Sequence, residues 1–176
     1  GGVKLHYDYD PLNRVTNVLS GGSAAAGYGF DPVGNLKPVR YGNGVTNLYR
    51  YDIVNQLTNL VWWSNQTQIA SFYYQLGKTG NRTNLTETVL TSATNRVYSW
   101  TCDSLYRLTS ETISGIGNVA YGYDGVGNRT NRLSSMGQIP SSTNSYSAND
   151  GLRTDAYDSN GNTLWSTNGA VGGPYG

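Results

Sequence analysis

Short segments with aromatic or aliphatic residues at every second position alternate along this chain with short polar segments rich in Gly and Asn. Tyr7 and Tyr9 are two residues apart, as are Tyr49 and Tyr51. Side chains at positions i and i+2 lie on one face of a β-strand. Turn residues follow roughly every ten residues, so the pattern predicts an all-β protein with about 14 to 16 short antiparallel strands.

Two predictions stay open for residues 60–76, a segment that contains neither Gly nor Pro. One is a buried helix. The other is a pair of aromatic strands, residues 57–63 and 68–74, around a turn at residues 64–67. We favour the two strands.

One phrase recurs along the chain: two aromatic residues at alternate positions, then Asp, two variable residues, Gly or Asn, and polar residues with Thr. Asp10, Asp31 and Asp52 are 21 residues apart, as are Asp103 and Asp124. Degenerate copies have Gly77 and Asn149 at the Asp position. The residues that carry the phrase are Tyr7, Tyr9, Asp10, Asn13, Tyr28, Asp31, Gly34, Tyr49, Tyr51, Asp52, Asn55, Trp100, Asp103, Tyr121, Tyr123, Asp124, Gly127, Tyr157, Asp158 and Gly161.

Each part of the phrase has a structural explanation. The Asp suits the first position of a turn, where its carboxylate accepts the N–H groups of that turn. The Gly or Asn three residues later tolerates the positive φ that such a turn needs. One repeat of about 21 residues is therefore a β-hairpin. Tyrosines of neighbouring strands are expected to stack as ladders, and Arg14, Arg107 and Arg129 to pair with Asp or stack on Tyr.

We expect residues 1–165 to form one continuous array of hairpins, since no change of composition divides them, and residues 166–176 to form a Gly-rich flexible tail. The chain reads as an internal segment of a longer polypeptide. A sheet this wide must curl to bury its aromatic face. Its two edges are expected to pair with other copies of the chain or with flanking repeats.

This recurrence resembles the YD-repeat (Rhs-repeat) family, of which teneurins are animal relatives. The resemblance implies hairpins that wind as a spiral β-sheet into a hollow shell. In bacteria it also implies a shell that encloses a C-terminal toxic polypeptide, in proteins that are secreted or displayed on the cell surface. About seven repeats are few for a closed shell. The chain is therefore expected to be a structural section of a larger extracellular shell, or a unit that self-assembles into a filament or tube.

Charge and composition exclude several classes of function. Only 13% of the residues are charged, with a net charge of +1 and no basic block, so no nucleic-acid partner is expected. No apolar run reaches the roughly 18 residues that cross a bilayer, so no membrane insertion is expected. With one Cys, one His and a single carboxylate per turn, we expect no metal and no cofactor.

Enzymatic activity is not expected either. Nine Asp residues suggest carboxylate chemistry, but most of them occupy the repeated turn position. No Ser or Cys has a recognisable catalytic partner. The alternative function is a carbohydrate-binding or adhesion module, in which Trp62 and Trp63 stack on sugar rings. These two side chains point to opposite faces of a strand, so we expect one of them to be exposed.

Overall fold

The computed structural model describes residues 2–91 and 95–166, and this part of the chain contains strands and turns but no helix. The strands are β1 (Leu5–Tyr9), β2 (Val15–Ser20), β3 (Ser23–Phe30), β4 (Leu36–Tyr41), β5 (Val45–Tyr51), β6 (Leu57–Ser64), β7 (Thr67–Leu76), β8 (Arg82–Val89), β9 (Arg96–Cys102), β10 (Leu108–Ile113), β11 (Gly117–Tyr123), β12 (Arg129–Ser134), β13 (Ser142–Thr143), β14 (Ala156–Tyr157) and β15 (Thr163–Trp165).

Strand order in the sheet is the order of the chain. The strands β1 to β13 are hydrogen-bonded neighbours in sequence, and β14 pairs with β15 in a separate two-stranded sheet. Every pair of strands whose register is resolved is antiparallel, from β1 and β2 to β14 and β15. Short turns permit only this arrangement of consecutive strands. The predicted repeat array of antiparallel hairpins is confirmed.

A hairpin also forms where a helix was the competing prediction. Residues 60–76 lie in β6 and β7, which pair from Asn59 with Tyr73 to Ser64 with Thr67. The two turn residues, Asn65 and Gln66, have φ values of 46° and 68°. Positive φ at both central residues is typical of the tight hairpin turn that matches strand twist. The helix prediction is therefore wrong.

The chain divides into two compact units, residues 1–99 and residues 100–176. The first contains β1 to β8 and the beginning of β9, and the second contains the remaining strands. The predicted single array over residues 1–165 stays a prediction. The tail predicted at residues 166–176 lies, apart from Ser166, outside the described residues.

In the strand pairs whose register is described, no tyrosine has a tyrosine as its direct cross-strand partner. Tyr28 in β3 lies opposite Val39 in β4, and Tyr49 in β5 lies opposite Leu60 in β6. Each hairpin carries its paired aromatic residues on its first strand, so the direct cross-strand neighbour of such a tyrosine is usually aliphatic. The prediction of contiguous tyrosine ladders is wrong, because aromatic and aliphatic side chains alternate across this face.

Few side chains are fully buried in the described part of either unit. Val39 and Asn47 are 3% and 2% exposed in the first unit, and Val119 is fully buried in the second. Most strand residues are half-buried. Local strand pairing and the turns therefore carry much of the order of this fold.

Candidate functional site

The repeated turn is the most regular feature of the molecule. In the first copy, the Asp10 N–H donates to the carbonyl of Arg14 at 2.9 Å, and the Asn13 N–H donates to the carbonyl of Asp10 at 2.9 Å. The Asp10 Oδ1 accepts the N–H groups of Leu12 and Arg14 at 2.9 and 3.0 Å. One carboxylate oxygen thus satisfies two backbone donors of a five-residue loop.

The same four hydrogen bonds recur in five further copies. These copies begin at Asp31, Asp52, Asp103, Asp124 and Asp158. The fourth residue of every copy has a positive φ, from 60° at Tyr106 to 105° at Gly127. Sequence reasoning predicted Gly or Asn at this position but missed Tyr106, because a bulky residue seldom adopts this conformation.

Two copies form the turn without Asp at the first position. At Gly77 the backbone bonds remain, with Gly77 N–H to Asn81 at 2.8 Å and Gly80 N–H to Gly77 at 2.9 Å. In the seventh copy the first residue is Ser147, whose Oγ accepts the Gly151 N–H at 3.1 Å. The Asn149 assignment was therefore wrong by two residues. The directly preceding Tyr146 was the signal that could have placed the motif.

Hydrogen bonds keep several turn carboxylates ionised. The Arg14 side chain, followed by the Arg14 N–H, holds the pKa of Asp10 below its ordinary value of 3.8, and Arg107 does the same to the pKa of Asp103. At Asp31, burial raises the pKa, but hydrogen bonds from the Asn35 side chain and from the turn backbone outweigh it and leave the pKa lowered. A carboxylate that accepts several N–H groups is a stronger acid.

The same balance holds at Asp124. Burial raises its pKa, but hydrogen bonds from Asn128 and the turn lower it by more, so the pKa is lowered overall. At Asp158 the Asn162 side chain is the largest cause of a lowered pKa. These carboxylates act as fixed acceptors. The net shift of each of these five pKa values is downward, away from the neutral range that suits a general acid.

Arginines fasten some of these turns to aromatic rings. Arg14 Nε donates to Asp10 Oδ2 at 2.7 Å, and its guanidinium lies 4.4 Å from the centre of the Phe30 ring. Arg107 donates to Asp103 Oδ2 at 2.7 Å and lies 4.8 Å from the Tyr123 ring. The prediction that Arg14 and Arg107 each pair with an Asp is confirmed.

Two further arginines stack within their own repeat. Arg129 lies 5.7 Å from the Tyr121 ring, which confirms its predicted stacking, and Arg82 lies 4.5 Å from the Tyr74 ring. Sequence reasoning did not single out Arg82. The signal was its position, because it follows the fifth turn residue in the same way as Arg129.

The recurring Thr has a role that the sequence did not reveal. A β-bulge lies beside the turn in several hairpins, for example between Arg50 and Tyr51. Thr58 Oγ1 donates to the carbonyl of Arg50 at 3.2 Å, and Thr83 Oγ1 donates to the carbonyl of Gln75 at 3.2 Å. The hydroxyl satisfies a carbonyl at the point where the bulge disturbs the ladder.

The two candidate sugar-stacking residues lie on opposite faces of β6. Trp62 lies opposite Asn47 and is 36% exposed, whereas Trp63 lies opposite Thr46 and is half-buried. Trp63 Nε1 is buried without a hydrogen-bond partner among the described residues. The two rings therefore do not form a shared platform, and only Trp62 offers an exposed ring.

Grooves lie on the surface of the described residues. One of about 270 Å³ lies among Tyr7, Val15, Val18, Tyr28 and Phe30. Within the described ranges, no three His, Cys, Asp or Glu side chains are grouped so that they could hold a metal ion. Across the same ranges, no helix has the length and apolar character needed to span a membrane.

Comparison with known proteins gives structural matches only. No protein-family model and no curated protein sequence matches the chain. A crystal structure of TcdB2-TccC3 is 15% identical, with a TM-score of 0.70, over 97% of this chain and 12% of that chain. A structure of the Photorhabdus luminescens Tc holotoxin pore is 14% identical, with a TM-score of 0.68, over 97% of this chain and 11% of that chain.

A third match, the crystal structure of TcdB2-TccC3-Cdc42, is 15% identical, with a TM-score of 0.68, over 93% of this chain and 11% of that chain. The chain thus spans about a ninth of the length of these toxin chains. Identities this low carry information about the fold alone. The chain has the Rhs-like fold of a stretch of these Tc toxin chains.

Proposed function

We propose that this chain is a structural scaffold, a section of β-sheet wall that adds hairpins one after another and continues at its edges into further repeats. The observation that carries this proposal is the strand order, which follows the chain from β1 to β13 with a hydrogen-bonded turn in each repeat. Such an array grows by the same contact at every step. The likeness to Tc toxin chains supports a scaffold of the kind that surrounds a polypeptide.

The open edge of β1 supports continuation of the sheet. Within the described part of the chain, strand β1 pairs only with β2, and its Leu5, Tyr7 and Tyr9 side chains are 53%, 44% and 55% exposed. An unpaired, apolar edge is a template for another strand. Two forms of the scaffold follow: a section of a bacterial, extracellular shell that encloses a C-terminal polypeptide, or a filament built from copies of this chain.

Catalysis is not part of this proposal, because turn bonding accounts for the carboxylates that could have served it. The partners that we propose are flanking repeats or other copies, with no nucleic acid, membrane insertion or cofactor. The whole-protein setting, secreted or on the cell surface, rests on the family resemblance.

Electron microscopy of the purified chain tests the self-assembling form. We expect ordered assemblies of constant width, whereas dispersed single copies would rule out that form. The shell form predicts a different result in a longer polypeptide. In that longer polypeptide, the β1 amides should exchange hydrogen slowly. If those amides exchange rapidly both in this chain alone and in the longer polypeptide, the shell form is contradicted.

A second candidate function rests on Trp62. Its ring is exposed on a sheet face, and an exposed indole can stack on a sugar. A glycan array tests this function, with Trp62→Ala as the variant that should lose any signal. Binding that is absent, or that survives the substitution, removes the adhesion hypothesis for this residue.

A further inference from the structure

The fourth and fifth residues of several turns contact the turn of a neighbouring repeat. We number the turn from its Asp, so that in the first copy Asn13 is the fourth residue and Arg14 is the fifth. At four places the fifth residue of one repeat reaches the fourth residue of the next, and at a fifth place it reaches the first residue of the next turn. These contacts, which we call junctions, come in two types.

Short junctions join two small polar side chains. Asn35 Nδ2 donates to Asp31 Oδ2 of its own turn at 3.0 Å and to Asn55 Oδ1 of the next turn at 2.8 Å. The same arrangement recurs in the other unit. There Asn128 Nδ2 donates to Asp124 Oδ2 at 3.1 Å and to Asp150 Oδ1 at 2.8 Å.

Long junctions pair Arg or Gln with Gly. A Cβ placed on Gly80 would lie 2.6 Å from Gln56 Nε2, and one placed on Gly34 would lie 3.7 Å from Arg14 Nη1. Arg107 spans its junction by donating to the carbonyl of Asp124 at 3.1 Å, and the fourth residue of that next turn is Gly127. A long fifth side chain thus lies close to the glycine at Gly80 and Gly34, whereas no atom lies within 4 Å of a Cβ placed on Gly127.

Backbone conformation separates the two types as well. The fourth residues of the short junctions, Asn55 and Asp150, have φ values of 64° and 59°. The glycines Gly34, Gly80 and Gly127 have φ values of 99°, 83° and 105°. A side chain is strained at the larger values. At all five of these junctions, a short fifth side chain therefore accompanies a fourth residue with φ near 60°, and a long fifth side chain accompanies a glycine with a larger φ.

The junction between Gly151 and Gly161 is the exception that shows what a pair contributes. Neither residue has a side chain, and a cavity of about 390 Å³ lies there, lined by Ser147, Asp150, Tyr157 and Asp158 among others. A junction without its pair is incompletely packed.

We propose that the junction pair selects which hairpin can lie beside which, and that two copies of this chain dock head to tail through a short junction between Asn162 of one copy and Asn13 of the next. This proposal rests on the self-assembling form of the proposed function. Asn162 Nδ2 donates to Asp158 Oδ2 at 2.8 Å, which leaves its second N–H in the position from which Asn35 and Asn128 reach their neighbours.

The two ends also match in their exposed surfaces. Asn13 has a φ of 61°, as in the short junctions, and Tyr9 beside it is 55% exposed. At the other end, Leu164 and Trp165 of β15 are 54% and 51% exposed. Joining β15 to the β1 edge of a second copy would cover these side chains. A head-to-tail contact of this kind leaves two new ends free, so it produces an open filament.

Sedimentation velocity over a range of concentrations tests the docking. Asn162→Arg should still hold its turn, because Arg14 and Arg107 bond the Asp of their own turns in the same way. Its longer side chain no longer fits beside Asn13, so association should weaken about tenfold. Adding Asn13→Gly recreates a long junction, with Tyr9 in the place of Phe30, and should restore association to within roughly threefold of the unaltered chain.

Asn160→Arg is the matched control, because it adds the same charge to the same turn at an exposed position that does not line the neighbouring cavity. We expect it to leave association unchanged. A doubly substituted chain that associates as weakly as Asn162→Arg overturns the pairing, and an unaltered chain that stays monomeric at every concentration overturns the docking.

The internal junction separates failure of this inference from failure of the scaffold. Asn35→Arg should lower the urea midpoint of unfolding, and adding Asn55→Gly should recover most of the loss, with no docking involved. If Asn55→Gly recovers the urea midpoint but the unaltered chain stays monomeric, the pairing rule is intact and head-to-tail assembly is refuted. Assembly of all variants alike refutes the rule and leaves the scaffold proposal standing.

Discussion

The turn carboxylate is predicted to stabilise each repeat without being required for its fold, and Asp52→Ala tests this. Asp52 Oδ1 accepts the N–H groups of Val54 and Gln56, both at 2.9 Å. Alanine removes both bonds, each with a net contribution of about 0.5–1.5 kcal/mol. The turn itself should persist, because the copy at Gly77 keeps its backbone bonds without any carboxylate.

Together the two bonds predict a loss of about 2 kcal/mol in the free energy of unfolding. With a urea dependence of about 2 kcal/mol per molar, the midpoint should fall by roughly 1 M. Tryptophan fluorescence follows the transition, since Trp62 and Trp63 lie in the same unit as Asp52. Asp52→Asn keeps one acceptor oxygen and should lose less.

Ile53→Ala is the control for this measurement. Ile53 follows Asp52 in the turn and is fully exposed, so its truncation should leave the midpoint unchanged. An unchanged midpoint for Asp52→Ala, or an equal loss for Ile53→Ala, would refute the reasoning that the carboxylate holds the turn.

Further predictions concern acid, the backbone at Asp124 and the side chain of Arg107. Five turn carboxylates have a folded pKa below 3.8. The stability that they contribute should therefore be complete above that pH and be lost as the pH falls through their folded pKa values. A urea midpoint that stays constant down to pH 2.5 would contradict this. Asp124→Pro removes the N–H that donates to Asn128 at 3.0 Å as well as the carboxylate, so it should lower the Tm by more than Asp124→Ala does, and an unchanged Tm would contradict the turn assignment. Arg107→Ala should lower the Tm by roughly 3 °C through loss of the Asp103 bond and the stacking on Tyr123, whereas an Arg107→Lys variant as stable as the parent would show that charge alone suffices.

Much of this fold follows from the sequence because the repeat is local. Alternating aromatic residues before Asp10 and a residue that tolerates positive φ at Asn13 specify a strand and a turn without reference to distant parts of the chain. Consecutive hairpins joined by short turns leave little choice of strand order. Local signals therefore determined both the number and the order of the strands.

What the sequence did not reveal depends on contacts between strands or repeats. The tyrosine ladders failed because the strand that separates two motif tyrosines carries aliphatic residues, as Val39 and Leu60 show. The Thr58 hydroxyl has its role only once the bulge at Tyr51 is known. The reach of Asn35 to Asn55 spans 20 residues of sequence, and no single copy of the motif contains it.

The site prediction was strongest for residues whose partners are close in sequence. The arginine contacts of Arg14 and Arg107 were anticipated because Asp10 and Asp103 lie four residues before them. Periodicity predicted that one of the two neighbouring tryptophans would be exposed but could not identify it. The structure identifies Trp62, which is 36% exposed, whereas Trp63 is half-buried.

A reconstruction of the assembled chain by cryo-electron microscopy tests the central claim most directly, namely that this protein is a scaffold that grows by adding hairpins at its edges. We predict that β15 of one copy lies beside β1 of the next at a strand spacing of about 4.8 Å, with Asn162 next to Asn13. Copies that associate through any surface other than these edges would contradict edge-to-edge growth, and copies that remain dispersed would contradict its self-assembling form.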